Sequence, residues 1–310
     1  MERSILIAVL MGGPGSEREI SLASGRAVAK ALREEGHEAV EVDVRDRRPT
    51  LPEGTGLAFN VIHGTYGEDG GVQEYLEELG VPYTGAGVES SRRAFDKLAS
   101  KACFAEAGVP VPAFEVVDVS GGMRLPEMPP PFVVKPPCEG SSVGVHIVRN
   151  AAEAEAAMRD AARFGDEIMV EEFVEGKELT VGIVGEEVLP VVHIVPRSGF
   201  YDLTNKYPWM TGKGGTDYYC PADLDAETTA CVQTAAQQAH KALGIEVYSR
   251  VDILLNSLRK PYILEANTIP GMTASSLLPK AAAAAAAGYG FGALCVRIAE
   301  LSMELRHGSS

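Results

Sequence analysis

Residues 5–11, ILIAVLM, form an unbroken apolar run that stops at Gly12-Gly13-Pro14-Gly15. A strand without polar alternation is buried on both faces, as in the middle of a parallel sheet covered by helices. The next segments fit that reading. An amphipathic helix is predicted over 20–35, closed by Gly36, with strands at 38–44 and 57–62. A second helix over 72–79 closes at Gly80. This alternation predicts a parallel α/β unit in the first third of the chain.

Beyond it the pattern changes. The sequence predicts one helix over 92–107, ending at Gly108, with Pro110 and Pro112 marking a connection. A glycine- and proline-rich stretch, 121–131, reads as a loop, followed by strands in FVVK and VGVHIV and a helix over 151–163. IMVEEFV and KELTVGIVG read as an antiparallel pair turning at Glu175-Gly176. Later strands are VLPVVHIV, VDILLN and PYILEAN, with helices at 225–243 and 291–305. Residues 197–220 read as one long loop, a length that usually signals function.

Composition narrows the partners. The formal charge of −15 disfavours nucleic acid, whose phosphates the surface would repel. Cys103, Cys138, Cys220, Cys231 and Cys295 are scattered and odd in number, without a C-x-x-C pair, which points to a reducing compartment. The first strand starts directly after Met1-Glu2-Arg3-Ser4 with no leader pattern, so a cytoplasmic location is expected. The alanine run 281–287 is too weakly hydrophobic for a membrane span. It reads as a small-residue helix packed closely on a neighbour, and no membrane partner is expected.

Three places suggest chemistry. Asp252 sits in one strand, and Glu265 and Asn267 sit two apart in another, so the latter pair shares a face. Adjacent strands would gather hard oxygen donors suited to Mg²⁺; the alternative is polar residues facing water. The strand with Lys135 runs into a Gly/Ser loop that could cradle phosphate, although such a loop is more often a plain turn. It is no Walker A loop. After the first strand, Gly13-x-Gly15 begins a dinucleotide fingerprint that fails at Arg18. The helix start there could still face a ligand, with Glu17 offered to an ammonium group and His63 at the same sheet edge.

Taken in order, these segments resemble the D-alanine–D-alanine ligase family. The matching stretches are GG-x-x-SEREIS at 12–21, HG-x-x-GEDG at 63–70, PYTGAGV at 82–88 and DKLASK at 96–101. They continue with VVKP-x-x-EGSSVGV at 133–145, EEF-x-x-GKELTV at 171–181, GFYD-x-x-x-KY at 199–207, SRVD at 249–252 and EANTIPGMT at 265–273. Each is weak alone; the ordered set covers nearly the whole chain.

The resemblance implies an ATP-grasp protein: an N-terminal parallel α/β domain (1–95), a central ATP-binding subdomain of α+β type (96–181), and a C-terminal domain carrying metal site and lid (182–310). It implies that Lys97, Lys135, Ser142 and Lys206 meet the phosphates of ATP, with Glu139 and Ser141 nearby. Glu171, Glu172, Phe173 and Val174 would border the adenine, Leu254 and Leu264 would pack on it, and Glu178 would hold the ribose. Asp252, Glu265 and Asn267 would hold two Mg²⁺ ions, with Mn²⁺ as an alternative. Glu17 and His63 would bind the first D-alanine, and Glu17, Ser141 and Tyr207 would be hydrogen-bonded together. Arg250 and the Gly271 N–H would face the oxyanion, and Ser276 with Leu277 the second D-alanine. A homodimer is also implied. The departure is PWMTGKGGTDYYC after Lys206-Tyr207, a longer path with Trp209 inside it. Tyr207, where relatives making D-alanyl–D-lactate carry histidine, favours an amine nucleophile.

Overall fold

The structure is a computed structural model describing residues 5–140, 142–198, 201, 203–206, 214–286 and 288–307. β1 (Leu6–Gly12) lies between β2 (Glu38–Val44) and β3 (Thr55–Asn60), parallel to both. Ile7 to Leu10 are fully buried, as the apolar run requires. α1 (Arg18–Glu34) starts where the dinucleotide fingerprint fails. Arg18 explains the start: it reaches Asp43 at 2.6 Å and donates to the Val44 carbonyl at 3.0 Å, pinning the helix to β2. α2 (Gly71–Glu78) closes the unit.

The expected single helix over 92–107 is two, α3 (Val88–Phe95) and α4 (Lys97–Glu106). Asp96 breaks it. Its backbone is extended and its carboxylate accepts from the Leu98 and Ala99 N–H groups, an N-cap inside a charged stretch.

The next sheet is antiparallel, in the order β4-β7-β5-β6, from β4 (Phe114–Asp118), β5 (Phe132–Lys135), β6 (His146–Val148) and β7 (Glu167–Glu172). α5 (Ala151–Ala161) covers it with Ala154, Ala157, Met158 and Ala161.

The third sheet holds β8 (Gly176–Val184), β9 (Glu187–Val188), β10 (Val192–Pro196), β11 (Thr216–Tyr219), β12 (Tyr248–Asn256) and β13 (Pro261–Asn267). Its order is β11-β10-β8-β12-β13, with β9 beside β8. β7 and β8 are therefore not the expected hairpin: β7 pairs with β4 and β5, and β8 pairs with β12 along its whole length. The expected domain boundary at 181/182 falls inside β8; the change of sheet lies between Glu172 and Gly176. The 197–220 segment is not all loop. It contains α6 (Leu203–Lys206), and Thr216–Tyr219 extends the sheet beside β10 because its backbone finds partners there. α7 (Ala226–Ala242) packs on β12 and β13, α8 (Leu277–Ala284) on β8, and α9 (Phe291–His307) on α1. α8 holds most of the alanine run, with Ala281 and Ala282 buried.

Two chain links join the four-stranded sheet to the rest, side by side. Glu172 N–H donates to the Ala113 carbonyl at 2.8 Å, and Ile263 N–H to the Pro110 carbonyl at 2.8 Å.

Candidate active site

β12 and β13 build the acidic centre. Asp252 is the register partner of Glu265, and Arg250 of Asn267. Directly after, the register shifts and Ile253 pairs with Ile263, leaving Leu264 as an extra residue. In a regular strand neighbours point to opposite faces. The bulge re-aims Leu264, so Leu264 and Glu265 line one cavity with Asp252 and Leu254.

That cavity, of about 500 Å³, lies between the four-stranded and six-stranded sheets. β5 contributes Lys135, and the loop after it Glu139 and Ser142. The end of β7 contributes Glu171 and Glu172, the link leaving it Phe173 and Val174, and β8 contributes Glu178. Lys97 enters from the first turn of α4 and Lys206 from α6. Lys97, Lys135 and Lys206 share its lining with apolar Val133, Ile147, Val174, Leu254 and Leu264, a mixture that suits a nucleotide.

The charges are tightly arranged. Lys97 Nζ lies 3.3 Å from Glu265 and donates to the Glu139 carbonyl at 2.7 Å. Arg250 grips Asp252 with two bonds, 2.9 and 2.7 Å, and Thr180 Oγ1 donates to Asp252 at 2.6 Å. Burial would raise the Glu265 pKa, but Lys97, Lys206, Lys135 and Arg250 hold it down at about 2. Glu178 goes the other way: burial lifts it to about 7, with Asp252 and Glu265 adding to the lift against Lys206 and Arg250.

Glu171, in the cavity wall, is 2% exposed and sits between two lysines. Lys135 Nζ donates to Oε2 at 2.5 Å, and Lys101 Nζ lies 2.5 Å from Oε1. The two cations keep its pKa low even though burial pushes it up. Burial pulls Lys101 down to about 8 against the charge of Glu171.

A second chamber of about 410 Å³ adjoins the first, and Tyr201, Lys206 and Glu265 line both. Glu17, His63, Arg250, Gly271, Ser276 and Leu277 all line it, as does Asn267, expected as a metal donor. Glu17 is set between two glycines: a Cβ on Gly64 would lie 2.9 Å from its Oε2, and one on Gly140 2.7 Å. His63 is buried, with Nδ1 2.9 Å from the Ile269 carbonyl and Nε2 3.1 Å from Ser24 Oγ. Burial would lower its pKa, but Glu68 and Glu17 outweigh that and raise it. Ser276 caps α8 positionally, and its Oγ lies 2.8 Å from Thr273 Oγ1 and accepts from Thr273 N–H at 3.1 Å. Ser142, at φ 61, donates to the Tyr201 carbonyl at 3.2 Å, tying the β5–β6 loop to the segment before α6. Ser141 and Tyr207 lie outside the described residues.

The acidic centre suits a hard divalent cation. Asp252 and Glu265 supply carboxylates, and the Asn267 amide is 3.2 Å from Asp252 Oδ2. Amide orientation is assigned from hydrogen bonding, so turning it presents oxygen instead. Among the described residues no group of three or more His, Cys, Asp or Glu side chains is placed to hold a metal. The candidate set has only two carboxylates, and its third donor is an amide. Lys101, Tyr201 and Lys280 were not singled out from sequence, and Glu68 stood only as part of the HG-x-x-GEDG stretch with His63. Lys101 was within reach, because Lys97 and Lys101 stand four apart on one helical face.

The family model for the D-ala D-ala ligase C-terminus matches residues 103–300. The D-alanine–D-alanine ligase of Methylacidiphilum infernorum is 44% identical over 96% of this chain and 95% of its own. That of Citrifermentans bemidjiense is 46% identical over 94% of each. The crystal structure of D-alanine–D-alanine ligase from Bacillus anthracis complexed with ATP superposes with TM-score 0.84 at 30% identity, covering 99% of this chain and 100% of that one. The VanG D-Ala:D-Ser ligase of Enterococcus faecalis gives TM-score 0.81 at 27% identity, covering 96% and 99%. Fold, cavities and likeness together define an ATP-grasp ligase. Within that class the chain belongs to the D-alanine–D-alanine ligase family. Among the described residues no helix is long and apolar enough to cross a membrane.

Proposed function

We propose that this chain uses ATP to join two D-alanine molecules, giving D-alanyl-D-alanine, ADP and phosphate for peptidoglycan precursors. One observation carries the reading. A nucleotide-sized cavity and a second polar chamber share a wall at Tyr201, Lys206 and Glu265, so a phosphoryl group can be handed across it.

The first D-alanine would lie with its ammonium toward Glu17 and His63 nearby. Its carboxylate oxygen attacks the γ-phosphorus, ADP leaves, and an acyl phosphate forms. The amine of the second D-alanine then attacks the acyl carbon, phosphate departs, and the amine proton is lost. Such transfer needs positioning and charge neutralisation more than covalent help. Lys97, Lys135 and Lys206 supply cations along the phosphate end. Arg250 and the Gly271 N–H face the site of the tetrahedral oxyanion. Ser276 and Leu277 would receive the second carboxylate. Asp252, Glu265 and Asn267 would hold Mg²⁺, which when bound neutralises charge on the phosphates. The acyl phosphate hydrolyses in water, so the Ser142–Tyr201 contact matters as part of the closure. The expected roles of Ser141 and Tyr207 remain part of this proposal.

The three sheets support a three-domain chain. Family resemblance supports a cytoplasmic homodimer, which light scattering tests.

The likeness to a D-Ala:D-Ser ligase supports a second reading, D-serine as the second substrate. ADP release by purified protein, with and without D-alanine, tests the main reading. Equal rates would refute it. Product analysis with D-serine and D-lactate competitors then sets the acceptor.

A further inference from the structure

Lys101 is the most deeply buried cation near the nucleotide cavity, with a side chain 0% exposed. Lys97, Lys135 and Glu171 line that cavity, and Lys101 stands behind them. Its Nζ lies 2.5 Å from Glu171 Oε1 and donates to the Ile263 carbonyl at 3.3 Å. Glu171 belongs to the four-stranded sheet and Ile263 to the six-stranded sheet. Glu171 Oε2 takes Lys135 Nζ at 2.5 Å.

This is a charge relay in fixed positions. A buried carboxylate holds a buried lysine tightly, because little solvent screens the pair. With Lys135 as the sole partner of Glu171, the pair would be neutral. A phosphate would then have to pull Lys135 away from a desolvated carboxylate. A second lysine behind the wall changes the balance: the Lys101–Glu171–Lys135 group carries one net positive charge, and Lys135 presents it to the cavity.

We propose that Lys101 is a positioning residue for ATP. It neutralises Glu171 from behind, so that Glu171 does not cancel the charge that Lys135 offers to the nucleotide phosphates. This inference rests on the nucleotide reading of the cavity.

The test is a double-mutant cycle on full-length protein: wild type, Lys101→Met, Glu171→Gln and the double variant. The dissociation constant of ATP with Mg²⁺ is read by calorimetry, and KM for D-alanine alongside. Lys101→Met is expected to weaken ATP roughly tenfold or more, with D-alanine KM changing less than about twofold. In the Glu171→Gln background the same change should cost almost nothing, because no carboxylate remains to hold Lys135. If Lys101→Met does not fold, the double variant still decides, since it removes both buried charges. It should bind ATP at least as tightly as Glu171→Gln alone. Equal losses in both backgrounds, or a double variant weaker than Glu171→Gln, would mean that Lys101 acts only by packing, and would overturn the proposal. A wild-type chain that binds no ATP overturns both this inference and the nucleotide reading.

Discussion

Asp252 on β12 and Glu265 on β13 are register partners, and the one-residue bulge beside them turns Leu264 toward the same cavity. The proposed metal donors and the side chain proposed to pack on adenine are thus fixed by one strand pair.

Replacing Asp252 or Glu265 by its amide should lower ADP release by about 100-fold or more. The fold should survive, since the strand ladder does not use these side chains. Turnover is measured beside circular dichroism. Near wild-type rates in a folded variant would remove both from the centre.

Gly140→Ala puts a Cβ 2.7 Å from Glu17 Oε2, too close for both to stay. Steady-state kinetics should show a raised KM for D-alanine, by roughly tenfold, with KM for ATP little changed. An unchanged D-alanine KM would separate Glu17 from the amino-acid chamber.

Glu178 carries a folded pKa of about 7 against an ordinary 4.5. Between those values the folded ligand-free chain binds the extra proton. Stability should therefore fall as pH rises from about 4.5 to 7 and level off above that. Glu178→Gln should be more stable than wild type above pH 7, on the order of 2 kcal/mol, with the gap closing near pH 5. Thermal melts of both proteins across this range check it. Parallel curves would show that burial does not raise Glu178.

Asp96→Ala removes the cap that accepts from Leu98 and Ala99 N–H at 2.8 and 3.3 Å. Urea titration should show a loss of about 1 kcal/mol. KM for ATP should rise as well, because Lys97 is the first residue of the helix so capped.

What the sequence reveals follows the range of the interactions. β1 is legible because seven apolar residues in a row need no partner to explain them. Asp252, Glu265 and Asn267 are legible because alternation assigns faces within a strand. The break at Asp96 is hidden, since an aspartate among lysines and arginines also suits an exposed helix. The β7–β8 hairpin fails because adjacency in sequence is outweighed by pairing with β4, β5 and β12. Lys101 resembles any surface lysine until Glu171, seventy positions on, meets it in the fold. The second chamber needs α1, the loop after β3, β12 and α8 together, which only the family resemblance anticipates.

The paired links at 109–113 and 173–175 set an axis. A leaf held by two adjacent knuckles swings one way and resists twisting. Phe132, paired with Glu172, lies beside that axis; Lys135, paired with Met169, lies further out, and Ser142 beyond it. A rotation about these links that left Phe173 and Val174 almost still would carry Ser142 away from Tyr201. On the proposed nucleotide reading, such a rotation would uncover the phosphate end first, while the base stayed beside the axis.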